Sequence, residues 1–286
     1  MARIDFHVHV TPPEISAQVH RYAEQEPYFA LLSASPSNKF ATAPEVIQEL
    51  DRTGFDQAVI FGFSFRDMGL CRVVNDYVIA HVQEYPQRLI GYMALVPNHR
   101  DMEQELDRCH RAGLRGIGEL FPAGQGFRIE EPADTRRFAG ACLERGLPVL
   151  VHTNEPVGHY YPGKTHTTLP QLDRFVENNP ELTIIFAHWG GGLLFYEAMP
   201  EQRKKYRHVY YDTAASVFLY DPGIYRVACA LGLQEKILFG SDFPLLSPVR
   251  YLKSMEDSGL SEAHKSLLLG GNAEHLLSHV YMLDHR

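Results

Sequence analysis

The chain has 286 residues, of which 45% are hydrophobic and 22% charged, and its net charge is −8. These fractions are ordinary for a globular protein, and the length is enough to bury a core without disulfides or a structural metal. The acidic balance argues against a general nucleic-acid binder, because neutralising phosphates needs an excess of lysine and arginine.

Cys71, Cys109, Cys142 and Cys229 lie far apart with no C-x-x-C pair. That is neither a zinc-ribbon pattern nor a disulfide scaffold. The start MARIDFHVHV carries a charge at Arg3 and histidines at His7 and His9, unlike a signal peptide. No apolar run reaches the roughly 18 residues that a membrane helix needs. The expectation is a soluble, reduced, cytoplasmic protein whose partner is a small-molecule substrate, not nucleic acid or a membrane, with a homodimer as its assembly.

Along the chain, short β-branched runs alternate with helical patterns. Strands are expected at Arg3–Val10, Gln57–Phe63, Leu89–Val96, Arg115–Leu120, Pro148–Thr153, Leu182–His188, Val209–Thr213 and Lys236–Asp242. Apolar residues at spacings of three and four predict helices at Ala43–Asp51, Met102–Ala112, Thr135–Arg145, Leu169–Asn178 and Gly223–Leu231. Several of these end at glycine, as a helix C-terminus favours. Eight strand–helix repeats fit a (β/α)8 barrel, with an open doubly wound sheet as the alternative. The doubly wound fold wants a glycine fingerprint after its first strand, and only GIGELF at Gly116 approaches one, with Phe121 in the third glycine position.

Two segments exceed a minimal barrel. Thr11–Thr42 is long, has a helical piece near Glu14–Glu24, and is expected to form a lid over the barrel mouth. The tail predicts two more helices, Leu260–Gly271 and Asn272–His279, with Asn272 as a helix cap after a glycine stop. The whole of 1–286 reads as a single domain.

Polar residues close the apolar runs. Strict alternation along the first strand puts Arg3, Asp5, His7 and His9 on the inner face and Ile4, Phe6, Val8 and Val10 on the outer one. His7 and His9 would stand about 6.6 Å apart, within reach of one ion. Glu119, His152, His188 and Asp242 end the fourth, fifth, sixth and eighth runs, where barrel active sites are built. Imidazoles and carboxylates together suit zinc, manganese or iron(II). Asp212, ending the seventh run, reads as a buried structural carboxylate first and a site residue second. The glycines after Trp189 read equally as a ligand approach or a structural turn.

The motifs DFHVH, VHTNEPVGH, AHWGG, GSDFP and LLLGGNAEHLL run almost end to end. On these the sequence resembles the amidohydrolase superfamily, in the amidohydrolase-2 branch that includes aminocarboxymuconate semialdehyde decarboxylase. The resemblance implies a distorted barrel holding one divalent ion, or two. It places His7, His9, His152 and Asp242 on the metal, with zinc as the expected ion. It makes His188 a second-sphere or second-metal histidine. Glu119 falls where other branches carry a carboxylated lysine or a glutamate that binds or bridges metal, so it joins the expected metal set. Asp242 and His188 are the expected catalytic pair: one collects the proton of a metal-activated water and the other stabilises an oxyanion. The expected function is hydrolysis of a small amide, lactone or ester; the alternative is non-oxidative decarboxylation of an unsaturated or aromatic acid. Substrate contacts are expected from His159, Tyr161 and Lys164 in the loop Thr153–Thr168, and from Arg66. Arg128 is a further candidate for a substrate carboxylate, and two arginines in the pocket would favour the decarboxylase.

Overall fold

In the computed structural model, residues 1–283 are described, with side chains described to residue 278. Eight strands occur, β1 (Ile4–His9), β2 (Gln57–Phe61), β3 (Leu89–Gly91), β4 (Ile117–Leu120), β5 (Val149–Val151), β6 (Ile184–Phe186), β7 (Val209–Asp212) and β8 (Ile237–Leu238). They pair in parallel as two ladders, β1-β2-β3 and β4-β5-β6-β7-β8. Two seams close the ladders into one ring. On one side Met93 N–H donates to Gly116 O and Gly118 N–H to Met93 O, at 2.9 and 3.0 Å. On the other, Phe6 N–H donates to Phe239 O, Asp242 N–H to His7 O and His9 N–H to Phe243 O, at 2.7 to 2.9 Å. The result is a distorted (β/α)8 barrel, and the closure excludes the open doubly wound sheet.

Strict alternation along β1 does not hold. The register with β2 steps from Asp5↔Ala58 to Val8↔Ile60, so a bulge interrupts the pleat. Ile4 and Phe6 therefore point into the barrel, where they pack with Val59, Phe61, Ile90 and Tyr92. Past the bulge, Val8 and Val10 join the core between strands and outer helices, and His7 and His9 face inward. Asp5 takes no part in the inner polar face; its Oδ1 accepts from Ser241 N–H at 2.9 Å. The bulge lets one strand supply apolar residues to the barrel floor and imidazoles to its upper end.

The outer helices follow the expected spacing. Ala43–Thr53 starts at a capping box, with Thr42 N–H donating to Glu45 Oε2 at 2.7 Å, and Leu169–Asn178 starts at a second box of Thr168 and Gln171. Met102–Arg111, Pro132–Glu144 and Gly223–Ala230 also lie close to their expected bounds. Met68–Glu84 is a helix the spacing does not announce, because Asn75 occupies a buried position of its apolar face. Asn75 is satisfied there, donating to Ala94 O and Glu105 Oε1 and accepting from Ala94 N–H.

Three short helices, Pro13–Ser16, Val19–Ala23 and Pro27–Ser33, form the connection after β1. In the tail, Asn272 is not a cap. It is helical at φ −67°, and the chain runs through Glu262–Ser266 and a π segment, Leu267–Gly271, into Asn272–Leu283. Its side chain instead donates to Gln234 O and Ile237 O, at 2.8 and 2.7 Å. Nor are the glycines before it a stop: a Cβ on Gly270 would lie 1.8 Å from Ala2 O, so that glycine permits a close approach. Among the described residues no helix is long and apolar enough to cross a membrane.

Candidate metal centre

The polar side chains meet at the C-terminal end of the barrel. His7 and His9 arrive from β1 past its bulge, and Glu119 arrives from β4, whose register also shifts between Ile117 and Leu120. His152 follows β5, His188 follows β6 and Asp242 follows β8. His188 and Asp242 have φ of +56° and +60°, a left-handed conformation costing roughly 1–3 kcal/mol for a side chain of this kind. Local bonds hold both: His188 N–H donates to Asp212 Oδ1 and Asp242 N–H to His7 O, each at 2.9 Å. The turns aim both side chains at the barrel axis instead of continuing the pleat.

Two donor groups result, His7 with His9 and Asp242, and His7 with Glu119 and His188; the donor atoms of each lie within 4.8 Å of one another. His9 Nε2 is 3.2 Å from His7 Nε2 and 3.3 Å from Asp242 Oδ1. Glu119 Oε2 is 3.8 Å from His7 Nε2 and 3.7 Å from His9 Nε2. Glu119 Oε1 faces the other way, 3.0 Å from His152 Nδ1 and 3.4 Å from His188 Nε2. Of the expected set, His7, His9 and Asp242 come together, while His152 stands on the other side of Glu119, its Nδ1 3.0 Å from Glu119 Oε1 and 3.2 Å from His188 Nε2.

The hydrogen-bond accounting shows how these residues fit a cation. His7 Nδ1 lies 2.8 Å from Asp212 Oδ2, His188 Nδ1 3.0 Å from Ala214 O and His152 Nε2 2.8 Å from Gly163 O. Each ring places one nitrogen on a protein acceptor, so each neutral imidazole turns a lone pair toward the carboxylates. Such an outer partner fixes the tautomer of a metal-ligating histidine. Asp212 is therefore more than a buried structural carboxylate: it orients His7 with one oxygen and holds the His188 turn with the other.

Without a cation, protons balance the carboxylates. Burial disfavours a charged His7, but the carboxylates of Asp212 and Glu119 raise it to about 9. Burial likewise opposes protonation of His188, and its hydrogen bond to Glu119, with Asp242 and Asp212 nearby, raises it to about 10. Asp242 is held down at about 2 against burial by its bond to His9 and the charges of His7, His9 and His188. Glu119 is driven well below the usual carboxylate range despite burial, first by His152 and then by His7.

Above this centre opens a cavity of about 490 Å³. The segment after β1 covers it as expected, contributing Phe29, Leu32, Lys39 and Phe40. An aromatic wall descends from it: Phe29 meets Phe40 at 6.1 Å and Phe63 at 5.4 Å, Phe63 meets Phe121 at 6.2 Å, and Phe121 meets the His152 ring at 4.8 Å. His159 and Tyr161 line the cavity, and Tyr161 OH donates to Glu155 Oε2 at 2.8 Å.

The expected cationic contacts fall elsewhere. Lys164 folds back on its own loop, where Nζ donates to the carbonyls of Val157, Gly158 and His159. Arg66 is exposed outside the lining, and its backbone N–H donates to Glu26 Oε2. Arg128 is also outside it, near Asp134 and Glu131. Among the described lining residues Lys39 is the lysine, with no arginine beside it, and it lies in an irregular loop with no periodicity to mark it. The glycines after Trp189 are structural: a Cβ on Gly191 (φ +59°) would lie 2.3 Å from Asn154 O.

Comparison with known proteins bears on both fold and site. Over 97% of this chain and 99% of the other, the structure matches 5-carboxyvanillate decarboxylase from Sphingomonas paucimobilis, with TM-score 0.77 and 17% identity. The Novosphingobium aromaticivorans 5-carboxyvanillate decarboxylase, complexed with manganese and 4-hydroxy-3-methoxy-5-nitrobenzoic acid, matches at TM-score 0.75 and 17% identity, over 97% and 96% of the two chains. A TIM-barrel protein from Bordetella bronchiseptica matches at TM-score 0.69 and 18% identity, over 98% and 100%. At these identities the likenesses establish the barrel. The amidohydrolase family profile matches residues 4–278, nearly the whole chain, and the chain belongs to that family.

Proposed function

We propose that the chain is a metal-dependent, non-oxidative decarboxylase of an aromatic or otherwise unsaturated carboxylic acid. The observation that carries this reading is the aromatic-walled cavity with an imidazole–carboxylate centre at its floor. A flat acid fits against the rings of Phe63 and Phe121 with its carboxylate directed at the centre. The 5-carboxyvanillate decarboxylases among the structural relatives support the same reading. It replaces hydrolysis, the first expectation from sequence, although among the described residues no arginine pair lines the cavity.

His7, His9, Glu119 and Asp242 would hold a divalent cation, with His152 and His188 beside it. Bound there, a divalent cation would supply a positive anchor for the substrate carboxylate, which would make an arginine clamp unnecessary. Manganese stands ahead of the zinc expected from sequence because a relative of the same fold holds manganese. Asp212 keeps His7 in one tautomer. His188 carries the proton at Nε2 that goes to the carbon bearing the carboxylate, and Asp242 remains anionic beside it. The C–H bond forms, the C–C bond to the carboxylate breaks, and its electron pair returns to the unsaturated system as CO2 leaves. The aromatic wall keeps water from the reacting carbon. Residues 1–286 act as one catalytic domain, and four free cysteines, three of them buried, suit a reducing cytoplasm.

A second reading has its own observation. Glu119 points one oxygen at His7 and His9 and the other at His152 and His188, an arrangement suited to bridging two ions and hydrolysing an ester or amide. Incubating manganese- and zinc-loaded protein with carboxyl-labelled aryl acids, and separately with lactones and anilides, decides between them. Release of labelled CO2 is expected. Turnover of lactones or anilides without CO2 release from any acid would establish hydrolysis instead.

A further inference from the structure

The loop that carries Tyr161 into the cavity wall, residues 152–168, holds neither helix nor strand. Irregular loops of this length are uncommon in a compact domain and usually serve a site. Its tip adds little packing, with Val157 75% and Tyr160 68% exposed, so hydrogen bonds must fix it. Resting on the proposed reading of the centre, we infer that Glu155 is a positioning residue: through Tyr161 and Gly163 it holds the ring of His152 against His188.

Tyr161 OH donates to Glu155 Oε2 at 2.8 Å. Burial and the Glu155 charge push that phenol up, so it stays protonated and donating at physiological pH. Burial and the same charge raise the phenol of Tyr220, which ends the short helix Ser216–Leu219 after β7, so Glu155 stands between two loops of the barrel mouth. Its Oε1 is shut off from solvent, and the carboxylate therefore depends on protein donors instead of water. From Tyr161 the path runs through Gly163. A Cβ there would lie 3.4 Å from the Tyr161 ring and 3.9 Å from Cε1 of His152, so the Gly163 backbone fills the space between the two rings. Gly163 O accepts from His152 Nε2 at 2.8 Å. That bond puts the His152 proton on Nε2 and leaves Nδ1 as the acceptor, 3.2 Å from His188 Nε2 and 3.0 Å from Glu119 Oε1. Two other sets of bonds tie the loop elsewhere. Asn154 Oδ1 accepts from Thr165 at the base, and Lys164 Nζ donates to the carbonyls of Val157, Gly158 and His159 at the tip. The Glu155–Tyr161 bond sets the stretch between them, the one that meets His152. Without it the Gly163 carbonyl can leave the ring, and the ring can turn away from His188.

The test follows the Nε2–H proton of His152 by proton NMR in the zinc-loaded full chain, zinc being diamagnetic; its signal is the one missing from His152→Gln. Glu155→Ala and Tyr161→Phe are each expected to speed its exchange with solvent about tenfold, as the loss of one bond to a charged acceptor implies. The double variant should add nothing further, because both changes break the same bond. Glu155→Gln, which keeps an oxygen for Tyr161 to donate to, should restore most of the protection. Melting temperatures should match the wild type throughout, which shows that the faster exchange is not lost folding. Where an aryl acid is turned over, kcat should fall in the same order, with Glu155→Ala and Tyr161→Phe below Glu155→Gln. Unchanged exchange in Glu155→Ala would overturn the role of Glu155, and independent, multiplying effects of the two changes would show that it does not act through Tyr161. Faster exchange with kcat equal in every variant would reduce the bond to a structural tie. Exchange that behaves as expected in a protein that releases CO2 from no acid would leave the hold on His152 intact and remove the decarboxylase reading.

Discussion

Asp242 sits among His7, His9 and His188, and that setting fixes its protonation. Held at about 2, it is ionised at any physiological pH and serves as an anion, not as an acid. Asp242→Asn keeps the size and one oxygen for a cation but loses the charge beside the His188 proton. The variant is expected to retain much of its metal and its melting temperature while turnover falls about 10²–10⁴-fold. Metal content measured beside turnover checks this; loss of both together would make Asp242 a ligand and nothing more. The imidazoles carry a second prediction. His7 and His188, raised to about 9 and about 10, hold protons at neutral pH when no cation is present. A cation must displace the proton of its ligand His7, while His188 beside it keeps its own, so affinity should climb as pH rises toward 9, and uptake at neutral pH should release about one proton. Calorimetric titration of metal-free protein in buffers of different ionisation enthalpy measures the release. A value near zero would mean that the His7 ring is already neutral.

The segment after β1 acts as a cover because one buried carboxylate ties it down. Glu26 accepts the N–H groups of Arg66 and Asp67, ahead of the helix Met68–Glu84, and joins the cover to the chain leaving β2. Burial raises its pKa, and the two backbone donors oppose the rise. Glu26→Gln turns one of those contacts into donor against donor. Protease nicking within residues 11–42 should rise about tenfold with little change in melting temperature, since a lost bond to a charged acceptor weakens the tie by about 1.5–3 kcal/mol. An unchanged nicking rate would show that the aromatic packing of Phe29 alone holds the cover. Much at this scale was legible in the sequence. Glu119, His152, His188 and Asp242 stood out because each closes an apolar run, and Ala43–Thr53 and Leu169–Asn178 because their caps and spacing agree. The inward turn of Phe6 was not legible, since a bulge leaves no mark in an alternating pattern. Lys39 was hidden in an irregular loop. The pairing of Asp212 with His7 joins residues 205 apart in sequence, and only barrel closure brings them together.

The barrel divides its two ends between stability and chemistry. Its lower interior is apolar, with Ile4, Phe6, Val59, Phe61, Tyr92 and Leu150 in one cluster. The C-terminal helix closes that end with Ala273, Leu276 and Leu277, and is held by Ala2 N donating to Glu274 Oε1 at 2.7 Å and by the Asn272 bonds to Gln234 and Ile237. The upper end gathers the buried His7, His152, His188, Asp212 and Asp242 and opens into the cavity. A barrel built this way should let the two ends be altered separately. Leu276 is 4% exposed and packs in the floor, so Leu276→Ala should lower the unfolding free energy by about 2–5 kcal/mol through lost burial and the space left behind. Metal affinity and turnover, measured well below the melting temperature, should stay at wild-type levels, because no atom of Leu276 reaches the centre. His9→Ala should do the reverse: its side chain is 28% exposed and its ring meets only part of the centre, His7 at 5.1 Å, and Phe61 at 4.8 Å, so bound metal falls while stability barely moves. Denaturant unfolding and metal analysis of the two variants, read side by side, test the division. If Leu276→Ala lost metal while still folded, the floor would have to set the spacing of His7 and Glu119 above it, and the two ends would be one coupled unit.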